Sequence, residues 1–96
     1  MNTGEKILLL KKTDLMCFIE QDTLRQLAEH CREITLHDNE LLFEEGSLEI
    51  AMYIVLSWGI CIYKVRKQIS ILGPGQYLGE MSLIEAKPRS ASAKAV

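Results

Sequence analysis

The sequence predicts a mainly β fold with flanking helices: a small antiparallel β-barrel preceded by an N-terminal helical segment. Three observations carry this. Apolar residues recur at helical spacing only in the first third of the chain, most clearly at Leu24, Leu27, Ala28 and Cys31. From Glu33 onward the period drops to two, with Ile34 and Leu36 alternating against Glu33, Thr35 and His37. In the segment 52–63, Met52, Ile54, Leu56, Ile60 and Ile62 lie on one strand face, while Tyr53, Val55, Cys61 and Tyr63 make the other only partly polar. Both faces therefore need cover, as in a small barrel with helices against its outside.

Taken in order, residues 5–12 read as a helix whose Ile7, Leu8, Leu9 and Leu10 give an apolar stripe wider than one face requires. A second helix starts at Asp22, whose carboxylate can cap the first turn. Between the two, Leu15, Met16, Phe18 and Ile19 form an apolar connector expected to tuck beneath the barrel. After the strand at 33–37, Asp38-Asn39 turns, and a short strand at Leu41–Phe43 stops at Glu45-Gly46. Ile69 and Ile71 resume a strand that runs into the turn at Gly73. At the end, Ala91, Ala93 and Ala95 share one face opposite Ser92 and Lys94; a wall of alanines is either room for a ligand or tight packing against a neighbouring strand. No repeat or linker divides the chain, so residues 1–96 are expected to form one domain, helical over 1–32 and barrel over 33–96.

Composition sets the bounds. A chain of 96 residues lies near the lower end of what buries an adequate core without metals or disulfides. Residues 1–50 carry five Lys/Arg against eleven Asp/Glu, a net −6, whereas residues 51–96 carry six against two, a net +4. There is no Lys/Arg cluster to provide the electrostatic footprint that duplex binding needs, so nucleic acid is not an expected partner. Cys17, Cys31 and Cys61 are odd in number and far apart, and with His30 and His37 they match no metal-ligand spacing. The longest early apolar run, Ile7 to Leu10, is too short for a signal peptide core or a membrane span, and the chain reads as cytoplasmic.

The chemistry concentrates between Gly73 and Ala93, read GPGQYLGEMSLIEAKPRSASA. Gly73-Pro74-Gly75 is a tight turn, Gln76-Tyr77-Leu78 a short extended piece, and Gly79 a residue against which other groups can approach closely. Glu80 to Ile84 has the composition of one or two helical turns, whose free N–H groups near Met81 and Ser82 form an anion site. Pro88 then resets the chain and brings back Arg89 and Ser90. A guanidinium fork, a hydroxyl and a helix start suit a phosphate, and Glu80, which would repel phosphate, suits a sugar hydroxyl. Gly73, Gly75 and Gly79 lack the spacing of a dinucleotide-binding G-x-G-x-x-G, and no P-loop occurs. Neither histidine lies near Ser82, Ser90 or Ser92 in sequence, so no nucleophile–base pair is indicated and no enzyme is expected.

Gly79-Glu80-Met81-Ser82-Leu83 followed by Pro88-Arg89-Ser90-Ala91-Ser92-Ala93 closely resembles the phosphate-binding cassette of cyclic nucleotide-binding domains of the catabolite activator protein and protein kinase A regulatory type. Leu42-Phe43-Glu44-Glu45-Gly46 and Met52-Tyr53-Ile54-Val55-Leu56-Ser57 resemble that family's strand ending in E-G and its following core strand. The resemblance implies a jelly-roll barrel with a short helix in the cassette, and a cytoplasmic regulatory domain with cAMP or cGMP as ligand and no cofactor. It implies that Glu80 accepts the ribose 2′-OH, that Arg89 pairs with the cyclic phosphate, and that Gly79, Met81, Ser82, Ser90 and Ala91 complete the cradle. Ser90 could serve the phosphate or hydrogen-bond a guanine.

The chain departs from the pattern at four places. Trp58 sits where the family turns through Gly, so the hairpin there is expected to be shifted or bulged; Leu78 replaces an aromatic; the segment 64–70 is short; and the sequence stops at Val96, ahead of the family's last strand and lid helix. That stop leads to the expectation of an open C-terminal edge, covered by a second copy or another protein. The competing reading is a degenerate barrel that binds nothing, in which Glu80 and Arg89 form a structural ion pair.

Overall fold

A computed structural model describes residues 1–14, 16–65, 67–80 and 87–96. The chain divides into two compact units, Met1–Thr35 and Leu36–Val96.

The first unit is a pair of helices, α1 (Thr3–Lys11) and α2 (Gln21–His30), which pack on one another. Helix α1 begins earlier than its apolar run suggests because Asn2 caps it. The Asn2 side chain accepts the Glu5 N–H at 2.8 Å, and the Glu5 carboxylate accepts the Asn2 N–H at 3.4 Å, a reciprocal capping box. Of the four consecutive apolar residues only Ile7 and Leu10 are buried, and Leu8 stands 62% exposed. Spacing, not hydrophobicity, decides which of them turn inward. At the start of α2 the cap position belongs to Glu20, whose side chain makes no capping bond, rather than to Asp22. Asp22 lies in the first turn, where its charge faces the positive end of the helix dipole.

The connector behaves differently from the expectation. The N–H groups of Thr13, Met16 and Ile19 each bond to the carbonyl three residues earlier, so every third side chain shares a side. Thr13 and Met16 are buried accordingly, and Phe18, out of step between Met16 and Ile19, has 95% of its surface exposed. It does not tuck away. Lys6 Nζ donates to the Cys31 carbonyl at 2.8 Å, and the N-terminal ammonium lies 3.6 Å from the Glu33 carboxylate, tying the ends of this unit together.

The second unit holds strands β1 (Leu41–Phe43), β2 (Tyr53–Ile54), β3 (Ile60–Lys64), β4 (Lys67–Leu72), β5 (Tyr77–Leu78) and β6 (Ser92–Ala95). All pair antiparallel, in a four-stranded sheet of order β1-β6-β3-β4 and a two-stranded sheet of β2 and β5. The core draws on both sheets: Val55, Ile60, Leu78, Ala93 and Ala95 are buried, with Phe43, Tyr53, Ile62 and Leu72 packed against them. The predicted fold class holds.

Local expectations fare unevenly. The turn at Asp38-Asn39 forms, with Glu40 N–H donating to the His37 carbonyl at 2.9 Å. Gly73-Pro74-Gly75-Gln76 is a type II turn: Pro fixes the second position, Gly75 takes a φ of 85° at the third, and Gln76 N–H donates to the Gly73 carbonyl at 3.1 Å. No strand forms over residues 33–37. Ile34 is 54% exposed and only Leu36 reaches the core, so the alternation there reports packing without a ladder partner.

Around Trp58 the chain changes sheet instead of making a hairpin. β2 pairs with β5, while β3 pairs with β4 and β6. The face read through Met52, Ile54, Leu56, Ile60 and Ile62 breaks at this crossing: Leu56 is 37% exposed, while Val55, read on the partly polar face, is buried. Trp58 takes a φ of 63° with its side chain 86% exposed. The expected open C-terminal edge is also corrected. β6 is an interior strand, bonded to β1 on one side and β3 on the other, and the outer strands of this sheet are β1 and β4. Ala93 and Ala95 are accordingly packing residues. Among the described residues no helix is long and apolar enough to cross a membrane.

Left-handed backbone costs a residue with a Cβ about 1–2 kcal/mol, and the exposed Trp58 side chain contributes little packing to offset it. Trp58→Gly is expected to raise the stability of the isolated chain by about 0.5–1 kcal/mol after the added unfolded-state entropy of Gly. Urea unfolding followed by circular dichroism measures it, and a loss of stability would show that the indole makes a contact worth more than the strain.

Candidate ligand-binding site

The site is assembled by two backbone stitches. Arg89 N–H donates to the Ser47 carbonyl at 2.9 Å and Gly46 N–H donates to the Arg89 carbonyl at 2.7 Å, which fixes the start of the final segment against the turn after β1. Three residues on, Ser92 Oγ accepts the Glu45 N–H at 2.8 Å. The Glu45-Gly46 turn therefore does more than end a strand: it anchors Arg89.

From that anchor the Arg89 side chain runs inward until only 5% of it is exposed. A guanidinium at that depth needs acceptors. Nη2 donates to the Ala51 carbonyl at 2.8 Å and to Glu49 Oε1 at 3.4 Å, and Nη1 donates to the Gly79 carbonyl at 3.3 Å. The charge also sits over the Phe43 ring, 4.3 Å from its centroid, a cation–π contact. Nε is buried and, among the described residues, has no hydrogen-bond partner.

Gly79 makes this possible. Its φ is 83°, and a Cβ there would lie 2.5 Å from Arg89 Nη1 and 2.7 Å from the Ala51 carbonyl oxygen. Glu49, the acid that meets Arg89, is 39% exposed along its side chain and also accepts the Tyr53 hydroxyl. Burial, then the hydrogen bond and charge of Glu49, push the Tyr53 phenol up to about 12, with Arg89 opposing them. Tyr53 in turn lies near Phe43, with ring centroids 6.1 Å apart.

Arg89 lines a cavity of about 420 Å³, together with Phe43, Ile62, Leu72, Leu78, Gly79, Glu80, Lys87, Pro88, Ser90 and Ala91. Of the site residues named from sequence, Gly79, Glu80, Arg89, Ser90 and Ala91 thus surround one space. Glu80 and Ala91 are half-buried and Ser90 is exposed. Met81 and Ser82, with the expected short helix, lie outside the described residues. The ion pair of Arg89 is with Glu49 and not, as the competing reading supposed, with Glu80. Glu49, Ala51 and Phe43 carried no local signal: they stand 40, 38 and 46 residues from Arg89 and meet it only through the strand pairing. Among the described residues no group of three His, Cys, Asp or Glu could hold a metal ion.

Two outcomes follow from this geometry. Gly79→Ala is expected to cost roughly 2–4 kcal/mol, combining left-handed strain with overpacking against Arg89 and a backbone carbonyl, as read from urea midpoints; an unchanged midpoint would mean the guanidinium has room to retreat. The raised Tyr53 phenol stabilises the fold at every pH below 10, its ordinary value, and that contribution disappears as the pH rises toward 12. Alkaline titration of the tyrosine absorbance should show a step near pH 12 that Tyr53→Phe removes.

Comparison with known proteins agrees with this layout. Residues 33–96 match the family model of the cyclic nucleotide-binding domain. A cyclic AMP receptor protein of Thermus thermophilus is 38% identical over 60 residues, which cover 57% of this chain and 28% of that protein. Among solved structures, a cyclic nucleotide-binding-like protein from Brucella abortus superposes with a TM-score of 0.81 at 29% identity, covering 95% of this chain and 82% of that one. The regulatory domain of Toxoplasma gondii protein kinase A, solved with cAMP, superposes with a TM-score of 0.90 over 98% of this chain and 38% of its own; at 22% identity this supports the fold. With its family model matched over residues 33–96, the chain belongs to the cyclic nucleotide-binding domain family.

Proposed function

We propose that the cavity beside Arg89 binds a 3′,5′-cyclic nucleotide, cAMP or cGMP, and that the domain is a regulatory sensor rather than a catalyst. The observation that carries this is the buried Nε of Arg89, which has no acceptor among the described residues. A charged donor buried without an acceptor costs free energy, and a structural barrel that had merely neutralised its arginine would leave no such donor unspent. A phosphate oxygen in the cavity supplies the acceptor. Around it the wall is small at Gly79 and Ala91, which admits a ribose phosphate, and apolar at Leu72, Leu78 and Ile62, which suits a purine. Glu80 lines the same cavity, which supports reading it as the acceptor of a sugar hydroxyl. Ser90 is exposed at the rim and is left to the phosphate or to a guanine.

Binding is read most simply as stabilisation. At one hundred times its dissociation constant a single-site ligand adds about 2.7 kcal/mol, so cAMP or cGMP should raise the melting temperature visibly. Arg89→Lys keeps a cation but loses the fork, and is expected to weaken either nucleotide at least about tenfold. Glu80→Gln should weaken cAMP and cGMP while leaving their 2′-deoxy analogues bound as well as by the unaltered chain. Absence of any shift with millimolar cAMP and cGMP would return the domain to the structural reading. Equal weakening of parent and deoxy ligands would remove Glu80 from the ribose.

A further inference from the structure

We infer that Glu49 is an internal counter-anion which competes with the ligand phosphate for Arg89 and so sets the affinity of the site. The inference rests on the reading that a cyclic nucleotide phosphate enters the cavity, and concerns what that phosphate must displace.

The argument starts from the donor count. A guanidinium has five N–H groups, and it grips a phosphate most strongly through two parallel bonds from one edge. Covalent geometry puts the Nε hydrogen on the same edge as Nη2. Nε meets no acceptor among the described residues, but Nη2 already donates to both the Ala51 carbonyl and the Glu49 carboxylate. The gripping edge is therefore half closed, and of its two acceptors only Glu49 is a mobile side chain.

Glu49 is not needed to position Arg89. Two backbone carbonyls, the Phe43 ring and the missing Cβ of Gly79 already fix the guanidinium. The ion pair itself is long, at 3.4 Å, and its acid is 39% exposed. Such a pair is weak, and a released carboxylate returns to water at little desolvation cost. Its charge nonetheless matters to an incoming anion. With Glu49 in place, Arg89 is neutralised before the ligand arrives; a cyclic phosphate, itself a monoanion, would add a second negative charge around one guanidinium.

Glu49 also has somewhere to go. The Tyr53 hydroxyl already donates to it, and the raised phenol keeps that donor protonated at any neutral pH. Filling the cavity thus trades an Arg89–Glu49 contact for an Arg89–phosphate contact, with Tyr53 retaining the carboxylate.

Calorimetric titration of the full chain with cAMP and with cGMP tests this across wild type, Glu49→Gln, Glu49→Asp and Tyr53→Phe. Glu49→Gln should bind about three- to tenfold more tightly, and Glu49→Asp should keep an affinity near wild type because the competing charge survives. Tyr53→Phe should bind more weakly, since the carboxylate is then left to Arg89 alone; it also serves as the measurement should Glu49→Gln fold poorly. Wild type that binds while Glu49→Gln binds equally or less tightly overturns the competitor and leaves the nucleotide reading standing. Folded wild type and Glu49→Gln that both fail to bind at millimolar ligand overturn the two together.

Discussion

A single positive charge buried between two sheets organises the second unit of this chain. Burying a guanidinium is costly unless every face of it meets an acceptor, a π-system or a counter-ion, and each of those has to arrive from a different part of the sequence. Here Ala51, just ahead of β2, and Gly79, just past β5, bring carbonyls from beside the small sheet, Phe43 brings its ring from β1, and Glu49 brings its charge from the loop between β1 and β2. The backbone of Arg89 is meanwhile tied to Gly46 and Ser47. Strand pairing and charge burial are therefore one problem with one solution: β2 and β5 must pair for the carbonyls of Ala51 and Gly79 to converge, and Gly79 must lack a Cβ for the guanidinium to fit between them.

This explains which parts of the molecule were legible in the sequence. Features encoded within a few residues read correctly: the two helices, the Asp38-Asn39 and Gly73-Pro74-Gly75 turns, and the strand at Leu41–Phe43. Features that depend on which strand lies beside which did not. Period-two alternation at 33–37 could not report that no strand would lie alongside it. The face read through Met52, Ile54 and Leu56 assumed one continuous pleat, whereas the chain changes sheet at Trp58 and the buried side chain becomes Val55. The notion of an open C-terminal edge failed for the same reason, since β6 lies between β1 and β3. Glu49 escaped notice because it belongs to no motif; only the fold gives it a partner.

The contacts of Arg89 also form a continuous path. Glu49 joins Arg89 to the Tyr53 hydroxyl, Tyr53 pairs across the small sheet with Leu78, and Leu78 precedes Gly79, whose carbonyl returns to Arg89. Any change in what the guanidinium binds is felt at both strands of the small sheet. The small sheet is only two residues long on each strand, with few ladder bonds to resist adjustment. The larger sheet is longer and holds most of the buried alanine and isoleucine contacts. The proposed role as a sensor would use this asymmetry: a firm sheet to define the pocket, and a light one able to take up two arrangements that a ligand can distinguish.

The same asymmetry bears on why Arg89 is fixed by the protein itself. A pocket whose arginine had to be gathered from solvent on each binding event would lose ligand affinity to the ordering of a long, flexible side chain, on the order of 1–2 kcal/mol of rotamer entropy. Fixing Arg89 during folding moves that cost into the stability of the domain, but a fixed, buried charge then needs provisional partners. Fixed carbonyl dipoles and an aromatic ring serve this purpose without carrying a net charge that a phosphate would have to oppose. Glu49 is the exception, because it answers the charge itself. For the proposed phosphate site, the arrangement would balance two demands on one residue: enough counter-charge for the chain to fold around Arg89, and a counter-charge loose enough, half in water and held by Tyr53, to yield to a stronger anion.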